Sequence, residues 1–520
     1  MISHRKKKTD HLPYAAVRRN VVWSIFDYAV VPVGMLIATP ILIHYLGLEQ
    51  FGVLVLVTAL VGFSAVFNFG FGDTALKYVS HYTKLNDEVR IVKIIQTIEL
   101  LALGSGIVVG ALFILLAPIL VGLFRLDSLS YAIEVLYLTG LILPLKMMES
   151  VYVAVIRGRQ RYDIAGGITV SSKILNIALH IVLAIQGYDL TILLVATVVT
   201  LIVSILLLFI FCCSMLGNLT PRFSRDAFRE IRRFSLWSWT QGISGLVYAN
   251  IDRLLVTAIL GPSALGLYGI CMQLAQNIHY GLTAACHSLF PRISMLNAVQ
   301  SQQQEGDATA IRPIYLTVSR TLTVAAVLAG TLMAVFSYQI LEIWVGKELA
   351  EEGYILLSLL SISFGWFSAN SIVSYYTLNG LGHVRMQAGV SITSAFVMAL
   401  SSVILIPVIG LVGAAIARLP DALFRVGVRI YIGRKIIGDI PIWNAIDFIR
   451  ITLIILVPAY FVKELLSAWN PGENFFYDPA SLLVLITFIV VIAAASYSIE
   501  SRIAPISDKR RLIAIGELQK

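Results

Sequence analysis

Lys173 interrupts the apolar run 164–186, and if that run is helical, Ser172, Lys173, Asn176 and His180 share roughly one face. That face combines a cation with an amide and an imidazole, groups suited to holding an anion beside hydroxyls. Arg253 stands next to Asp252, but helical neighbours point about 100° apart and need not pair. Arg320 has no acid nearby in sequence. Arg418, Asp421, Arg425 and Arg429, spaced three, four and four, form a single stripe that Pro420 interrupts. The stripe reads equally as an internal Arg–Asp–Arg ladder or as a track for an anion. Gln273, Gln276, Asn277, Tyr280 and His287 form a wet face on one run, and Trp366, Asn370 and Tyr375 form another. Lys146 and Glu149, three apart, are expected to satisfy each other. Asp27 is an isolated carboxylate in the first apolar run.

These groups matter because of the medium around them. The chain has 520 residues, 58% hydrophobic and 13% charged, about half the ~25% charged fraction of a soluble globular chain. Its mean hydropathy of +0.84 marks an all-α polytopic membrane protein. It excludes a cytosolic enzyme and a secreted disulfide module. A charge inside such a chain is costly and is a functional candidate by default. The four cysteines, Cys212, Cys213, Cys271 and Cys286, fall in apolar runs without metal spacing and read as small buried hydrophobes. No metal site, cofactor, Walker motif or Gly-rich phosphate loop is expected.

A membrane helix needs about 20 mostly apolar residues. Such runs lie near 20–45, 52–76, 94–122, 130–156, 164–186 and 190–216. Further runs lie near 234–260, 265–290, 313–337, 353–378, 385–406, 411–433, 446–466 and 479–499. The count is about 14 transmembrane helices. With the N-terminus in the cytoplasm, 29 of the 39 Lys and Arg fall in cytoplasmic segments. The outer loops keep Arg125, Lys347 and Lys463. That asymmetry predicts both termini in the cytoplasm.

Two short patterns recur. Leu46-Gly47-x4-Gly52 returns as Leu260-Gly261-x4-Gly266, an offset of 214. Arg157-Gly158-Arg159-Gln160 through Gly167 is matched by Asn379-Gly380-Leu381-Gly382 through Gly389, an offset of 222. Both imply a parallel pseudo-twofold repeat of six helices. The expected organisation is a basic N-tail (1–19), a six-helix lobe (20–216), an amphipathic cytoplasmic linker (217–233) and a second six-helix lobe (234–433). Two extra helices (434–499) and a basic tail (500–520) complete it. In the linker, Phe223, Phe228 and Ile231 alternate with arginines, as in a helix lying on an anionic leaflet.

Leu46-Gly47-x4-Gly52, Phe69-Gly70-Phe71-Gly72, Asn250-Ile251-Asp252-Arg253 and Gly410-Leu411-Val412-Gly413-Ala414-Ala415 together resemble a known family. It is the polysaccharide and oligosaccharide flippases of the multidrug/oligosaccharidyl-lipid/polysaccharide superfamily. The resemblance covers nearly the whole chain. It implies two six-helix bundles around a central cavity and the translocation of a lipid-linked glycan, such as an O-antigen or exopolysaccharide unit, across a bacterial inner membrane. On that reading Lys173, Arg253, Arg320 and Arg418 would meet the diphosphate, while Asn176, His180, Gln273, Asn277, Trp366 and Asn370 would meet sugars. Asp27 and Asp252 are the candidate gating acids, or ligands for a coupling proton or sodium ion. The expected partners are the lipid-linked oligosaccharide, the bilayer and a glycan polymerase, and no nucleic acid. The rivals are a multidrug cation antiporter of the same superfamily and a membrane glycan polymerase or glycosyltransferase. A basic surplus in the spans opposes the first, and short outer loops oppose the second.

Overall fold

The computed structural model describes residues 14–217, 219–286, 311–438 and positions scattered between 450 and 460. The expected runs 446–466 and 479–499, and His287, lie wholly or largely outside the described residues. Every described element is helical: α1 (Tyr14–Gly62), α2 (Ser64–Phe67), α3 (Phe71–Leu85), α4 (Glu88–Leu123), α5 (Ala132–Gly158), α6 (Tyr162–Ile185) and α7 (Leu190–Leu216) come first. After them run α8 (Arg225–Leu260), α9 (Pro262–Cys286), α10 (Ile311–Val335), α11 (Ser337–Val345), α12 (Lys347–Gly380), α13 (Val384–Ile416) and α14 (Leu419–Tyr431). A short π-helix, Ile432–Ile436, closes the series. Among the described residues, nine helices are long and apolar enough to cross a membrane.

The chain divides into two compact units, residues 1–246 and 247–520. In the first, α5 is central and packs on α3, α4 and α7, while α1 pairs with α6. Small residues bring the backbones together, as lipid-embedded helices require. A Cβ added at Gly110 of α4 would stand 2.6 Å from the carbonyl of Gly140 of α5. In the second unit α12 is central, against α9, α10, α11, α13 and α14. There Gly330 of α10 crosses at Ser361 and Gly365 of α12, and a Cβ on Gly330 would meet the Ser361 carbonyl at 2.6 Å.

The joints are set by local chemistry. Asp87 caps α4 by accepting from the Arg90 N–H at 2.9 Å, and Asp189 caps α7 by accepting from the Ile192 N–H at 3.3 Å. Positive φ values occur at Gly47, Phe69, Gly70, Asn86, Arg125, Gln160, Gly187 and Gly217 in the first unit, and at Gly261, Gly346, Gly382, Gly410 and Gly438 in the second. Gly47, Arg125, Gln160, Gly187 and Gly217 pair in order with the five of the second unit at offsets of 214, 221, 222, 223 and 221 residues, while the positions corresponding to Phe69, Gly70 and Asn86 fall outside the described residues.

Two expected spans are broken. The run near 52–76 is interrupted at Phe69 and Gly70, whose φ values are 45° and 69°. The cause is α8. A Cβ on Gly70 would lie 2.7 Å from the Ser235 carbonyl, the Ser235 hydroxyl donates to the Phe69 carbonyl at 2.5 Å, and the Trp239 indole N–H donates to the Val66 carbonyl. The run near 411–433 breaks too, at Ala417 and Arg418, and α14 begins afresh at Leu419 with Pro420 in its first turn. Ile409 and Gly410, between the expected runs 385–406 and 411–433, leave helical geometry inside α13. The amphipathic stretch and the span after it form one helix, α8, of 36 residues.

Candidate functional site

In the first unit a carboxylate on α1 meets two cations. Asp27 Oδ1 accepts from Lys173 Nζ of α6 at 2.7 Å, and Oδ2 accepts from Arg157 Nη2 of α5 at 2.6 Å. Lys173 also donates to the Asp27 backbone carbonyl at 3.1 Å, and the Thr169 hydroxyl lies 2.9 Å from Oδ1. The Asp27, Lys173 and Arg157 side chains are 16%, 33% and 30% exposed. The cluster is therefore reachable and carries a formal +1. Lys173 needed a partner from another helix because α6 carries no acid at its own level. Arg157 and Thr169 complete the site, and sequence reasoning missed both roles. Arg157 lies just past the expected apolar run 130–156 and occupies the last turn of α5.

The rest of the α6 face turns to α7. Asn176 donates to the Thr197 and Thr200 hydroxyls at 3.1 and 3.2 Å. His180 is buried, with Nε2 2.8 Å from the Thr197 hydroxyl and 3.1 Å from the Leu193 carbonyl. Spacing placed these residues on one face, and the structure divides it, with Lys173 on α1 and the polar remainder in a seam between helices. Lys146 Nζ and Glu149 Oε2 meet at 2.7 Å.

The second unit holds a denser cluster. Asp252 of α8 is fully buried, and its Oδ2 accepts from Arg418 Nη2 at 2.5 Å and from the Tyr268 hydroxyl. The Arg418 guanidinium lies over Phe364 at 5.0 Å and Tyr248 at 5.9 Å. Asp421 takes Arg425 at 3.1 Å, whose guanidinium stacks on Phe367 at 4.6 Å and donates to Ser371 at 3.1 Å. Arg429 donates to Ser319 Oγ at 2.6 Å, Thr323 Oγ1 at 3.0 Å and Asn370 Oδ1 at 3.2 Å. The stripe is thus only partly a ladder, since Asp421 pairs with Arg425 while Arg418 reaches Asp252 on another helix.

Arg253 is half-buried and donates to Gln276 Oε1 at 3.4 Å. Its backbone N–H donates to Asp252 Oδ1 at 2.9 Å. Asn277 donates to the Gln273 carbonyl at 2.9 Å. Asn370 is fully buried and also donates to the Trp366 carbonyl at 2.8 Å. Trp366 is half-buried against Val324 and Val327. Arg320 is half-buried and meets no carboxylate among the described residues. Four arginines, Arg253, Arg418, Arg425 and Arg429, gather near two aspartates, a basic excess.

Comparison with known proteins decides the family. A profile of the family described as polysaccharide biosynthesis protein matches residues 41–352, more than half of the chain. The chain belongs to that family. It is 19% identical over 405 residues to a protein of Shigella flexneri named as an O-antigen transporter, covering 77% of this chain and 94% of the relative. A Haloferax volcanii protein named as the low-salt glycan biosynthesis flippase Agl15 is 23% identical over 205 residues, 39% of this chain and 42% of the relative. Among solved structures, the lipid II flippase MurJ in an inward closed conformation superposes with a TM-score of 0.68 at 11% identity, covering 93% of this chain and 99% of MurJ. An inward-facing multidrug resistance MATE transporter of the MOP superfamily gives 0.62 at 14% identity, covering 82% and 98%. This family member therefore has the fold of MOP-superfamily transporters. It is a multi-pass membrane transporter of polysaccharide biosynthesis rather than an enzyme.

Proposed function

We propose that the protein is a flippase that carries a polyprenyl-diphosphate-linked oligosaccharide from the inner to the outer leaflet of a bacterial inner membrane by alternating access. The observation that carries this reading is the Asp27 site. One carboxylate shared by Lys173 and Arg157 leaves a reachable positive charge within helices that cross a membrane. Such a charge suits a diphosphate, whose oxygens can replace the carboxylate on both cations. Moving a hydroxyl-rich head through about 30 Å of hydrocarbon requires polar groups in place of lost water. Arg253 and Arg320 extend the phosphate-binding set, and Gln273, Asn277 and Trp366 supply sugar contacts. Asn176, His180, Asn370 and Arg418 are held by neighbouring side chains and serve by shaping those surfaces. Asp27, the more exposed of the two acids, is the site of coupling to a proton or sodium ion, and Asp252 gates through Arg418. The basic excess in both units speaks against a cationic drug as cargo.

The organisation proposed with this function is two six-helix lobes (20–216 and 234–433) in parallel repeat, joined by a cytoplasmic linker (217–233). Two further membrane-crossing helices (434–499) follow, and both basic tails (1–19 and 500–520) lie in the cytoplasm, with a glycan polymerase acting on the delivered product. The five left-handed positions recurring at nearly constant offsets support the repeat. The test is complementation of a strain lacking the gene, reading surface polysaccharide and lipid-linked glycan on each leaflet. Lys173→Gln and Arg157→Gln should each lower export about tenfold, the value of one charge-assisted contact, at wild-type membrane abundance. Full export by both variants would overturn the role of the site.

A further inference from the structure

Below the break at Phe69 and Gly70, α8 does not seal against α4. A crevice of about 450 Å³ remains, walled by Phe69, Leu101 and Gly104 on one side and by Phe228, Ile231 and Arg232 of α8 on the other. Its walls are hydrocarbon. The two hydroxyls in it are spent internally, Ser105 on the Ala102 carbonyl at 3.2 Å and Ser235 on the Phe69 carbonyl at 2.5 Å. Apart from Arg232, no side chain of the wall therefore asks for a polar ligand. Gly104 deepens the crevice, because a Cβ there would meet nothing within 4 Å. Leu236 and Phe228 remain 53% and 37% exposed at its edge.

The single charge on the wall is Arg232. It is exposed and forms no salt bridge among the described residues. Glu230, the acid nearest in sequence on α8, is already taken by Arg90 at 2.5 Å and by the Tyr82 hydroxyl at 2.5 Å. Arg225 and Arg229 precede Arg232 by seven and three residues and are likewise exposed, which puts a basic stripe along one side of the helix. A dry slot with a cation at its mouth, on a helix bearing further arginines, has the chemistry of an acyl chain below a phosphate.

We propose that this crevice binds one anionic phospholipid, with an acyl chain against Gly104 and the phosphate on Arg232. Its volume lies toward the lower end of the ~300–1,000 Å³ usual for ligand pockets. That suits one chain and is overfilled by a polyprenyl tail of many isoprene units, so this site is separate from the one assigned to the transported glycan. The bound lipid fastens the amphipathic segment of α8 to α4.

Native mass spectrometry of the full-length protein released from detergent tests this, with phosphatidylglycerol, phosphatidylcholine and a polyprenyl phosphate added separately. Wild type should retain one phosphatidylglycerol about tenfold more strongly than phosphatidylcholine, whose choline cation adds a like charge beside Arg232 and offsets the pull on its phosphate. Arg232→Gln should remove that preference. Gly104→Phe should abolish retention of the lipid by filling the slot, while Arg225→Gln, outside the wall, should keep it. Arg232→Gln alters an exposed side chain and is expected to fold, so the headgroup arm stands even if Gly104→Phe does not accumulate. Equal retention of phosphatidylglycerol by wild type and Arg232→Gln, unchanged retention by folded Gly104→Phe, or preferential retention of the polyprenyl phosphate would each overturn the proposal.

Discussion

Asp252 and Arg418 allow a quantitative test of how the second unit holds its charges. The carboxylate is fully buried, the guanidinium is 5% exposed, and they meet at 2.5 Å. Asp252→Leu leaves Arg418 with the faces of Phe364 and Tyr248 and a long, 3.5 Å contact to the Tyr268 hydroxyl. Removing one member of such a pair costs about 3–5 kcal/mol, because the other charge stays buried and uncompensated. Arg418→Met should fall near the lower end of that ~3–5 kcal/mol range, because the Tyr268 hydroxyl and the Arg253 N–H still donate to Asp252. The double variant Asp252→Leu/Arg418→Met removes both charges and should cost little, or gain up to about 1–4 kcal/mol. Unfolding of the detergent-purified protein, followed by tryptophan fluorescence against denaturant, gives the cycle. The singles should sum to several kcal/mol more than the double, as expected for groups in contact. A double variant as unstable as the two singles added together would refute the buried pair. A double variant that is stable but exports no glycan would separate a gating role for Asp252 from its structural one.

Other expectations follow from close packing, strain and surface charge. Gly365→Leu should destabilise at the upper end of the ~1–3 kcal/mol for overpacking, because a Cβ there meets the Ala326 carbonyl at 2.9 Å. Gly389→Ala, at an exposed helical position with nothing within 4 Å, should instead stabilise by roughly 0.5–1 kcal/mol. Both are read from the same unfolding curves. Gln160→Gly relieves a left-handed residue at φ 62°, worth about 1–2 kcal/mol before the extra chain entropy of glycine is subtracted. The net expectation is a small rise in Tm. Glu230→Gln loosens the attachment of α8 to Arg90 and Tyr82. With those groups partly exposed the loss should stay below about 1 kcal/mol, seen as faster amide exchange across 225–236 without a change in global unfolding.

Helical class was legible in the sequence because it rests on composition, which packing does not alter. The Leu-Gly turns at Gly47 and Gly261 were legible too, since only a residue without Cβ enters left-handed backbone readily. The joint at Gly410 falls in the gap between the expected runs 385–406 and 411–433, whereas the breaks at Gly70 and at Ala417–Arg418 were harder to foresee. Gly70 yields to α8, a helix more than 150 residues distant in sequence, and hydropathy windows carry no such information. The site was half legible. Lys173 and Asp27 stood out as charges in apolar runs, but their union depends on α1 packing against α6. Arg157 looked like a loop cation because it closes α5 at the edge of the apolar stretch. Asn176 and His180 show the limit of helical-face reasoning, which identifies a common direction without saying whether a neighbouring helix already occupies it.

The contact of Gly330 with Ser361 and Gly365 has a mechanical consequence. Where two helices touch backbone to backbone, no side-chain layer remains that could slide or repack. α10 and α12 must therefore travel as one rigid body through any transport cycle. Bending then has to be absorbed at hinges that lack such clasps, and the left-handed joint at Gly410 is where the second unit can supply one.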